Sequence, residues 1–397
     1  MADLVIKNQV DNGMNSPMID LSANENPLGP SPLAIRAIEQ ALSGLHRYPE
    51  KDGDPLRDAL AQQQGLDRSQ LLLGNGATEL LEFAARSSLG LQAQAEALIA
   101  TPCFIPYHKV IQRAGGTLVR VPCVLGADPL DALLAAVTEN TRLIILGTPN
   151  NPTGSVLSQA ALQRFIAALP KQLLLVLDEA YIEYVDHSDD SNNPGNPDDP
   201  DHSNYSDSLK LLKKHDNLLI LRSLSKAYGL AGLRLGYAIG NPALIERLNG
   251  QRQHYNTNSL AQAAALAALA DKAHLAATLA NNRQQRELLC RSFSAMGLNY
   301  LPSQANFILL EVGDGDALVQ GLAEQGIRVK PMARYQLPRH IRISVGLPAQ
   351  NQALLSALQR LLNPTPKLLL RKRASEPLDH LLKGKPNDRP YKRAALA

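Results

Sequence analysis

Five apolar runs along the chain end in polar, glycine-rich or proline-rich turns. They are QLLLGNGATE (70–79), EALIATPCF (96–104), TRLIILGTPNNPTG (141–154), QLLLVLDEAY (172–181) and NLLILRSLSK (217–226). The runs are rich in Leu, Ile and Val and lack strict alternation, which is typical of strands covered on both faces. Helical patterns such as 78–89 and 158–168 separate them. Strand and helix in repeated succession predict an α/β fold with a mostly parallel central sheet flanked by helices.

The pattern predicts two domains of unequal size. The pattern of apolar and polar residues changes after an Ala-rich segment at 260–279. The later runs QANFILLEV and HIRISVG are typical of strands set among helices. We therefore predict a large domain at 45–262 and a smaller α+β domain at 263–362. Residues 1–44 are expected to form an N-terminal arm and to add part of the small domain.

The basic charge of the chain lies in its C-terminal tail. Residues 363–397 hold nine Lys and Arg against three Asp and Glu, so the formal net charge of +3 leaves −3 for the rest. The slight negative charge of residues 1–362 does not indicate a nucleic-acid partner. The segment 186–208 has seven Asp and no Lys or Arg, and it is predicted to be an acidic surface loop. The tail is predicted to be a solvated appendage.

Cysteine usage and hydropathy indicate a cytoplasmic protein. The three cysteines, Cys103, Cys123 and Cys290, are far apart and lack metal-ligand spacing, so no metal site is predicted. Free thiols in odd number are typical of a reducing compartment. No apolar run has the length of a membrane span, and residues 1–13 lack the pattern of a signal peptide, so no membrane partner is expected.

Polar side chains follow the apolar runs at the predicted carboxyl ends of the strands, where ligands bind in open α/β sheets. GNGATE at 74–79 places two glycines before a helix, which suits an anion, although it is neither GxGxxG nor a P-loop. Asn151, Asp178, Tyr181 and Lys226 end other runs. Taken singly, these features also fit a glycine turn, turn chemistry, a helix cap or a solvated lysine.

Together these groups fit a single ligand, pyridoxal 5'-phosphate. That cofactor requires a lysine amine for its Schiff base, an acid beside its ring nitrogen and an anion site for its phosphate. The order Asn, Asp-x-x-Tyr and Ser-x-Ser-Lys with a following Arg is far more specific than any one of its pieces. A dehydrogenase is disfavoured because no intact GxGxxG with an acid on the next strand is present. A non-catalytic binding protein on this scaffold would usually lack the lysine or carry an additional DNA-binding module. This sequence shows neither feature, so that class is disfavoured as well.

Residues 19–360 resemble the fold-type I, pyridoxal-phosphate-dependent aminotransferases of class II, and within them the histidinol-phosphate aminotransferases. The stretches that carry the resemblance are LSANENPLGP, HRYPE, GNGATELLE, TPNNPTG, DEAYIEY, SLSKAYGLAGLRLGY, NTNSLAQAAALAAL, PSQANFIL and IRISVGLP. The loop 186–208 and the tail from 363 lie outside it. The resemblance implies a large cofactor-binding domain with a mostly parallel sheet, a smaller α+β domain and a homodimer with a shared active site.

The resemblance also implies roles around the cofactor ring. Lys226 binds the cofactor covalently and later moves a proton between substrate and cofactor. Asp178 pairs with the ring nitrogen, and Asn151 and Tyr181 hydrogen-bond the ring oxygen. Phe104 of TPCFIPY stands where an aromatic ring, often Tyr, stacks on the cofactor.

A second set of residues is implied to hold the cofactor phosphate. It comprises Ala77, Thr78, Ser223, Ser225 and Arg234 of the same chain and Tyr48, in RYPE, of the neighbouring subunit.

For the substrates, the resemblance implies histidinol phosphate, then 2-oxoglutarate, with imidazole acetol phosphate and glutamate as products. Arg342 lies in IRISVG, where alternation sets it and Ser344 opposite Ile341 and Ile343. The residues alone also allow a surface arginine on an edge strand, whereas the family implies an anion clamp. Asn24 and Tyr335 are further expected to line the substrate pocket.

Two features depart from the family pattern. Many relatives carry a tyrosine in the N-terminal arm, but residues 1–18 here contain none. Lys330 stands where relatives often have arginine, which keeps the charge but not the planar fork. An aromatic amino-acid aminotransferase and a threonine-phosphate decarboxylase share the cofactor and remain as alternatives for the substrate.

Overall fold

The structure is a computed structural model that describes residues 18–90, 94–186 and 208–362. The first part of the predicted N-terminal segment (1–17 of 1–44), nearly all of the predicted acidic loop (187–207) and the predicted tail (363–397) lie outside the described residues. The helices and strands below are numbered in chain order.

A seven-stranded sheet forms the larger part of the fold. Its strands run in the order β2-β8-β7-β6-β5-β3-β4, and every neighbouring pair is parallel except the two that involve β8. The strands are β2 (Leu71–Gly74), β3 (Glu96–Thr101), β4 (Thr117–Pro122), β5 (Thr141–Gly147), β6 (Leu174–Asp178), β7 (Leu218–Ser223) and β8 (Gly236–Gly240). The prediction of a mostly parallel central sheet is therefore confirmed.

Helices cover both faces of this sheet, which explains why the strands are continuously apolar. Leu175 and Leu177 of β6 pack in one core with α2 (Asp54–Gln64), α5 (Leu130–Ala135), α6 (Gln159–Ala168), α7 (Ser208–Leu212) and α9 (Ser259–Ala270). Leu174 and Val176 of the same strand pack in the opposite core with α3 (Ala77–Leu89), α4 (Pro106–Arg113) and α8 (Pro242–Asn249). Both faces of the strand are buried, so alternation is lost.

A smaller α+β unit follows in the chain. Its sheet has the order β11-β12-β9 and is antiparallel, with β9 (Phe307–Glu311), β11 (Lys330–Pro331) and β12 (His340–Ser344). The helices α10 (Lys272–Ala295), α11 (Gly315–Glu324) and α12 (Pro348–Leu362) share its apolar core. The short strand β1 (Ile19–Asp20) pairs with β10 (Ile327–Arg328), so the start of the described chain joins this unit. The helix α1 (Pro32–Ala41) packs on α9 instead.

No helix in the described ranges is by itself long and apolar enough to cross a membrane. The pair α9 and α10 reaches that length and composition only when joined, and it is bent by 77° at the break.

The carboxyl group of Glu183 is buried near the end of β6. It lies in a 3-10 helix (Ile182–Tyr184) after β6, and its Oε2 atom has no hydrogen-bond partner in the described part of the chain. Burial raises the pKa of Glu183 from 4.5 to about 7, and the negative charge of Glu179 adds to this rise while Arg222 opposes it. The folded state therefore binds this proton more tightly than the unfolded state.

Because the folded pKa of Glu183 is the higher one, this residue lowers the free energy of unfolding as pH rises from about 4.5 to about 7. Glu183→Gln is expected to raise the free energy of unfolding by on the order of 1–3 kcal/mol near pH 8, and by much less near pH 5. Urea denaturation at the two pH values measures the difference. Glu246→Gln, on the exposed side of α8, is the control. A gain for Glu183→Gln that is equal at both pH values would contradict this prediction.

Candidate active site

A cavity of about 370 Å³ opens at the carboxyl edge of the central sheet and is lined by residues of both the sheet and the smaller unit. Its walls come from the ends of β5, β6 and β7, the start of α3, residues 22–25 and the strands β11 and β12. Nearly all of the predicted site residues line it: Asn24, Ala77, Thr78, Phe104, Asn151, Asp178, Tyr181, Ser223, Ser225, Lys226, Arg234, Lys330, Tyr335 and Arg342. Groups that lie as far apart in sequence as Asn24 and Arg342 thus share one space.

Lys226 follows β7 and points into the cavity. Its Nζ atom donates a hydrogen bond to the carbonyl oxygen of Ala23 at 3.2 Å and lies 5.7 Å from the ring centroid of Tyr181. Burial lowers the pKa of Lys226 to about 8, and the positive charge of Arg342 adds to this shift. The amine is consequently available in its neutral, nucleophilic form near neutral pH far more often than a solvated lysine.

Asp178 is the last residue of β6, and both of its carboxylate oxygens are engaged. Oδ1 accepts from the backbone N–H of Ala180 at 3.2 Å, and Oδ2 accepts from the Tyr107 hydroxyl at 2.9 Å. Burial raises the pKa of Asp178 to about 6, and the hydrogen bond from Tyr107 acts against this rise. The contact with Ala180 is an Asx-type turn and not the helix cap that the sequence also allowed, because the next helix begins at Ile182 with Tyr181 as its N-cap. It leaves the carboxylate on the cavity wall.

The hydroxyl of Tyr181 accepts two amide hydrogen bonds. Asn24 Nδ2 donates to it at 3.0 Å and Asn151 Nδ2 at 3.1 Å. With both contacts made as an acceptor, the hydroxyl proton remains available to a ligand oxygen in the cavity. The side chain of Asn24 also bonds Ser344, so it orients Tyr181 from the small unit as well as lining the expected substrate pocket.

Arg342 is buried on β12, which is the central strand of its sheet and not an edge strand. The interpretation as a surface arginine is therefore wrong. Nη1 donates to Asn151 Oδ1 at 2.6 Å and Nη2 donates to the Ser22 carbonyl oxygen at 2.8 Å. The register of β11 and β12 sets Lys330 directly opposite Arg342. Two cations side by side on one cavity wall form a site for an anion.

The start of α3 and Arg234 form an anion cradle at the other end of the cavity. A Cβ atom at Gly76, the N-cap residue with φ +81°, would come within 2.6 Å of Arg234 Nη2. A Cβ at Gly236 would lie 2.8 Å from the backbone nitrogen of Ala77. Only glycines allow the guanidinium and β8 to approach the helix start this closely.

Side chains complete the cradle. Ser223 and Ser225 line it, and the backbone N–H of Ser225 donates to Ser223 Oγ at 3.1 Å. Glu79, the residue that breaks the GxGxxG pattern, accepts from the backbone N–H of Asn75 at 2.7 Å and so fixes the glycine loop. Free N–H groups, hydroxyls and a guanidinium at a helix start are the donor set that a phosphate requires.

Tyr107 and Glu25 are the lining residues with ionisable side chains that sequence reasoning missed. Tyr107 follows Phe104 by three residues at the start of α4, and that spacing was the available signal, because it sets both rings on one side of a helical turn. Their rings pack edge to face with centroids 5.6 Å apart. Glu25 stands inside the quoted NENP stretch, and nothing in its spacing marks it as part of a cavity.

Tyr48 is the one predicted site residue that does not line the cavity of its own chain. Its side chain is 82% exposed and stacks on Tyr255 with ring centroids 4.8 Å apart. The predicted role of Tyr48 is in a neighbouring subunit, so this position leaves the prediction open.

The cavity fits pyridoxal 5'-phosphate group by group. The cradle suits the phosphate, the Asp178 carboxylate suits a protonated ring nitrogen, and the Tyr181 hydroxyl has a proton to offer to the ring oxygen. The amine of Lys226, with its lowered pKa, suits an aldehyde carbon.

Residues 16–358 match the family model of aminotransferase class I and II. A histidinol-phosphate aminotransferase 2 of Pasteurella multocida is 43% identical over 347 residues, which cover 87% of this chain and 90% of that one. A histidinol-phosphate aminotransferase of Methylobacillus flagellatus is 41% identical, with 87% and 89% covered.

Among solved structures, histidinol-phosphate aminotransferase from Sinorhizobium meliloti in complex with pyridoxal 5'-phosphate matches with a TM-score of 0.77. It is 30% identical, over 87% of this chain and 91% of that one. The predicted fold-type I architecture and the predicted cofactor, pyridoxal 5'-phosphate, are thereby confirmed. The chain belongs to the class I and II aminotransferase family and, within it, to the group of histidinol-phosphate aminotransferases.

Proposed function

We propose that the protein transfers the amino group of L-histidinol phosphate to 2-oxoglutarate, giving imidazole acetol phosphate and glutamate, as a cytoplasmic step of histidine biosynthesis. The observation that carries the proposal is the cationic wall of Lys330 and Arg342, which shares one cavity with Lys226. An amino donor with a phosphate at one end can place its phosphate at this wall and its amino group toward the lysine, because all three residues line one cavity. The names of the relatives, at about 40% identity, support the same donor.

The same wall suits the second substrate. The planar fork of Arg342 binds a phosphate or a carboxylate with parallel hydrogen bonds, while Lys330 adds a point charge that accepts either anion. Histidinol phosphate and 2-oxoglutarate enter in turn, so one anion clamp serves both half-reactions. The contact of Arg342 with Asn151 fixes the guanidinium before a substrate arrives.

Around the cofactor, the residues divide the work by position. Pyridoxal phosphate supplies an electron sink for the bond that breaks at the amino-bearing carbon. Asp178 would hold a positive charge at the ring nitrogen, Phe104 would cover a ring face, and Asn151 and Tyr181 would hydrogen-bond the ring oxygen. The neutral amine of Lys226 takes the proton from the amino-bearing carbon of the donor at its Nζ atom. It then delivers this proton to the carbon of the cofactor that accepts the amino group.

We further propose that the active protein is a homodimer in which Tyr48 reaches the partner's cofactor phosphate. Exposed large apolar side chains in α1 and in the segment from α1 to Tyr48 support this proposal. They are Leu33, Ile35, Leu42, Leu45 and Tyr48. Large apolar side chains gathered within sixteen residues are typical of a surface that another chain covers.

A panel of amino donors tests the substrate. Single-turnover reactions with histidinol phosphate, histidinol, Phe, Tyr and phosphothreonine are followed by the loss of the visible absorption of the lysine-bound cofactor. We expect kcat/KM for histidinol phosphate to exceed that for histidinol by about 10²-fold or more, because loss of the phosphate leaves Lys330 and Arg342 unpaired.

The other donors decide between the alternatives. A higher kcat/KM for Phe or Tyr would show an aromatic amino-acid aminotransferase. Release of carbon dioxide from phosphothreonine would show a decarboxylase. Either result would contradict the proposed substrate and leave the cofactor and the family unaffected.

A further inference from the structure

Tyr107 is a buried tyrosine whose hydroxyl ends against the carboxylate of Asp178. The side chain is 2% exposed, it stands in the first turn of α4, and its hydroxyl donates to Asp178 Oδ2 at 2.9 Å. A fully buried hydroxyl costs free energy unless it finds a partner, so this hydrogen bond is a fixed part of the folded site. The other oxygen of Asp178 is already held by the backbone N–H of Ala180.

The end of β5 leaves room for the same hydroxyl. Gly147 lies directly opposite Asp178 in the β5–β6 register. A Cβ atom at position 147 would come within 3.2 Å of the Tyr107 hydroxyl oxygen, which is closer than ordinary packing allows. The φ angle of Gly147 is not in the left-handed region, so space and not backbone conformation is what this glycine provides.

Tyr107 also supports the second ring of the cavity. Its ring meets that of Phe104 edge to face, at an interplanar angle of 82°. Such a contact fixes the tilt of the neighbouring ring. One side chain therefore contacts both the group expected at the cofactor's ring nitrogen and the group expected on its ring face.

We propose that Tyr107 is a positioning residue that holds the Asp178 carboxylate ionised and oriented and keeps Phe104 in place, so that the ring nitrogen of the bound cofactor stays protonated. This inference rests on the cofactor that the proposed function requires and does not depend on the identity of the amino donor.

The charges around Asp178 give the direction of the effect. Burial and the carboxylate of Glu179 raise the pKa of Asp178, while the hydrogen bond from Tyr107 and the charge of Lys226 lower it. Removal of the hydroxyl thus raises the proton affinity of the carboxylate. A proton shared with a ring nitrogen then moves toward Asp178, and the ring nitrogen becomes neutral.

The experiment uses Tyr107→Phe, which keeps the ring and removes only the hydroxyl. The protein is stripped of cofactor and reconstituted with ¹⁵N-labelled pyridoxal phosphate. We expect the ¹⁵N resonance of the ring nitrogen to move from the protonated toward the neutral position. The Kd for the cofactor, measured by fluorescence titration, is expected to rise about tenfold, in line with loss of one hydrogen bond to a charged group. Neither measurement involves an amino donor.

Two matched variants complete the design. Tyr184→Phe removes a hydroxyl from a similarly buried tyrosine that does not line the cavity, and it should leave the ¹⁵N resonance unchanged. Gly147→Ala crowds the Tyr107 hydroxyl and should shift the resonance in the wild type but not in the Tyr107→Phe background. An unchanged ¹⁵N resonance in Tyr107→Phe, or an equal shift in Tyr184→Phe, would overturn the proposal.

Discussion

Lys226→Ala is expected to reduce kcat by about 10⁴-fold or more, the largest effect of any single substitution in this chain. The variant loses the amine that forms the covalent link to the cofactor and the base that moves the substrate proton. Asp178 does not replace this base, because its two carboxylate oxygens are already engaged by Tyr107 and Ala180.

The measurement pairs the rate with the visible spectrum. Lys226→Ala should still bind pyridoxal phosphate through the phosphate cradle and Asp178, but the absorption of the lysine-bound form should be absent. Small primary amines in the buffer should restore part of the rate, since the vacated space admits a soluble base. Lys109→Ala, an exposed lysine on α4, is the control and should retain the wild-type rate. A variant with near-normal kcat would contradict the role given to Lys226.

The sequence was sufficient to predict five of the seven strands of the central sheet, β2, β3, β5, β6 and β7, and the polar residues at their ends, because these are encoded locally. No run was named for β4 or β8. Runs without alternation, such as 174–178 and 218–223, indicated strands buried on two faces, and both strands are fully buried in the structure. The carboxyl ends of neighbouring parallel strands meet at one edge, so Asn151, Asp178 and Lys226 were expected to meet there. All three line one cavity.

Contacts between distant segments could not be predicted in this way. The bond from Tyr107 to Asp178 joins residues 71 positions apart, and that from Asn24 to Tyr181 joins residues 157 apart. No periodicity links such pairs, since their distance is set by how α4 and the N-terminal segment pack on the sheet. Gly147 shows the same limit, because the absence of its side chain has meaning only beside the Tyr107 hydroxyl.

Arg342 lies between these two cases. Alternation in IRISVG correctly separated it from Ile341 and Ile343, which are buried in the core of the small unit. Alternation alone does not tell which side of a strand faces solvent, and the surface interpretation remained possible for that reason. In the structure β12 pairs with a strand on each side, which excludes the interpretation of Arg342 as a surface arginine on an edge strand.

Arg342→Ala is expected to lower kcat/KM by on the order of 10²–10³-fold in both half-reactions. The truncation removes the buried, hydrogen-bonded guanidinium that pairs with the phosphate or carboxylate of the substrate. The two half-reactions are measured separately in single turnovers, one with histidinol phosphate and one with 2-oxoglutarate. Arg342→Lys keeps the charge and should recover part of the loss, but it cannot restore paired hydrogen bonds.

The control is Arg339→Ala, which removes an exposed arginine just before β12 that pairs with Glu311 at 2.9 Å. It should leave both half-reactions unchanged, because its side chain does not line the cavity. The positive charge of Arg342 also lowers the pKa of Lys226, so Arg342→Ala should move the pH dependence that reports this amine to higher pH. If only one half-reaction weakened, the two anions would have different clamps, and Lys330 would then be the first candidate for the second one.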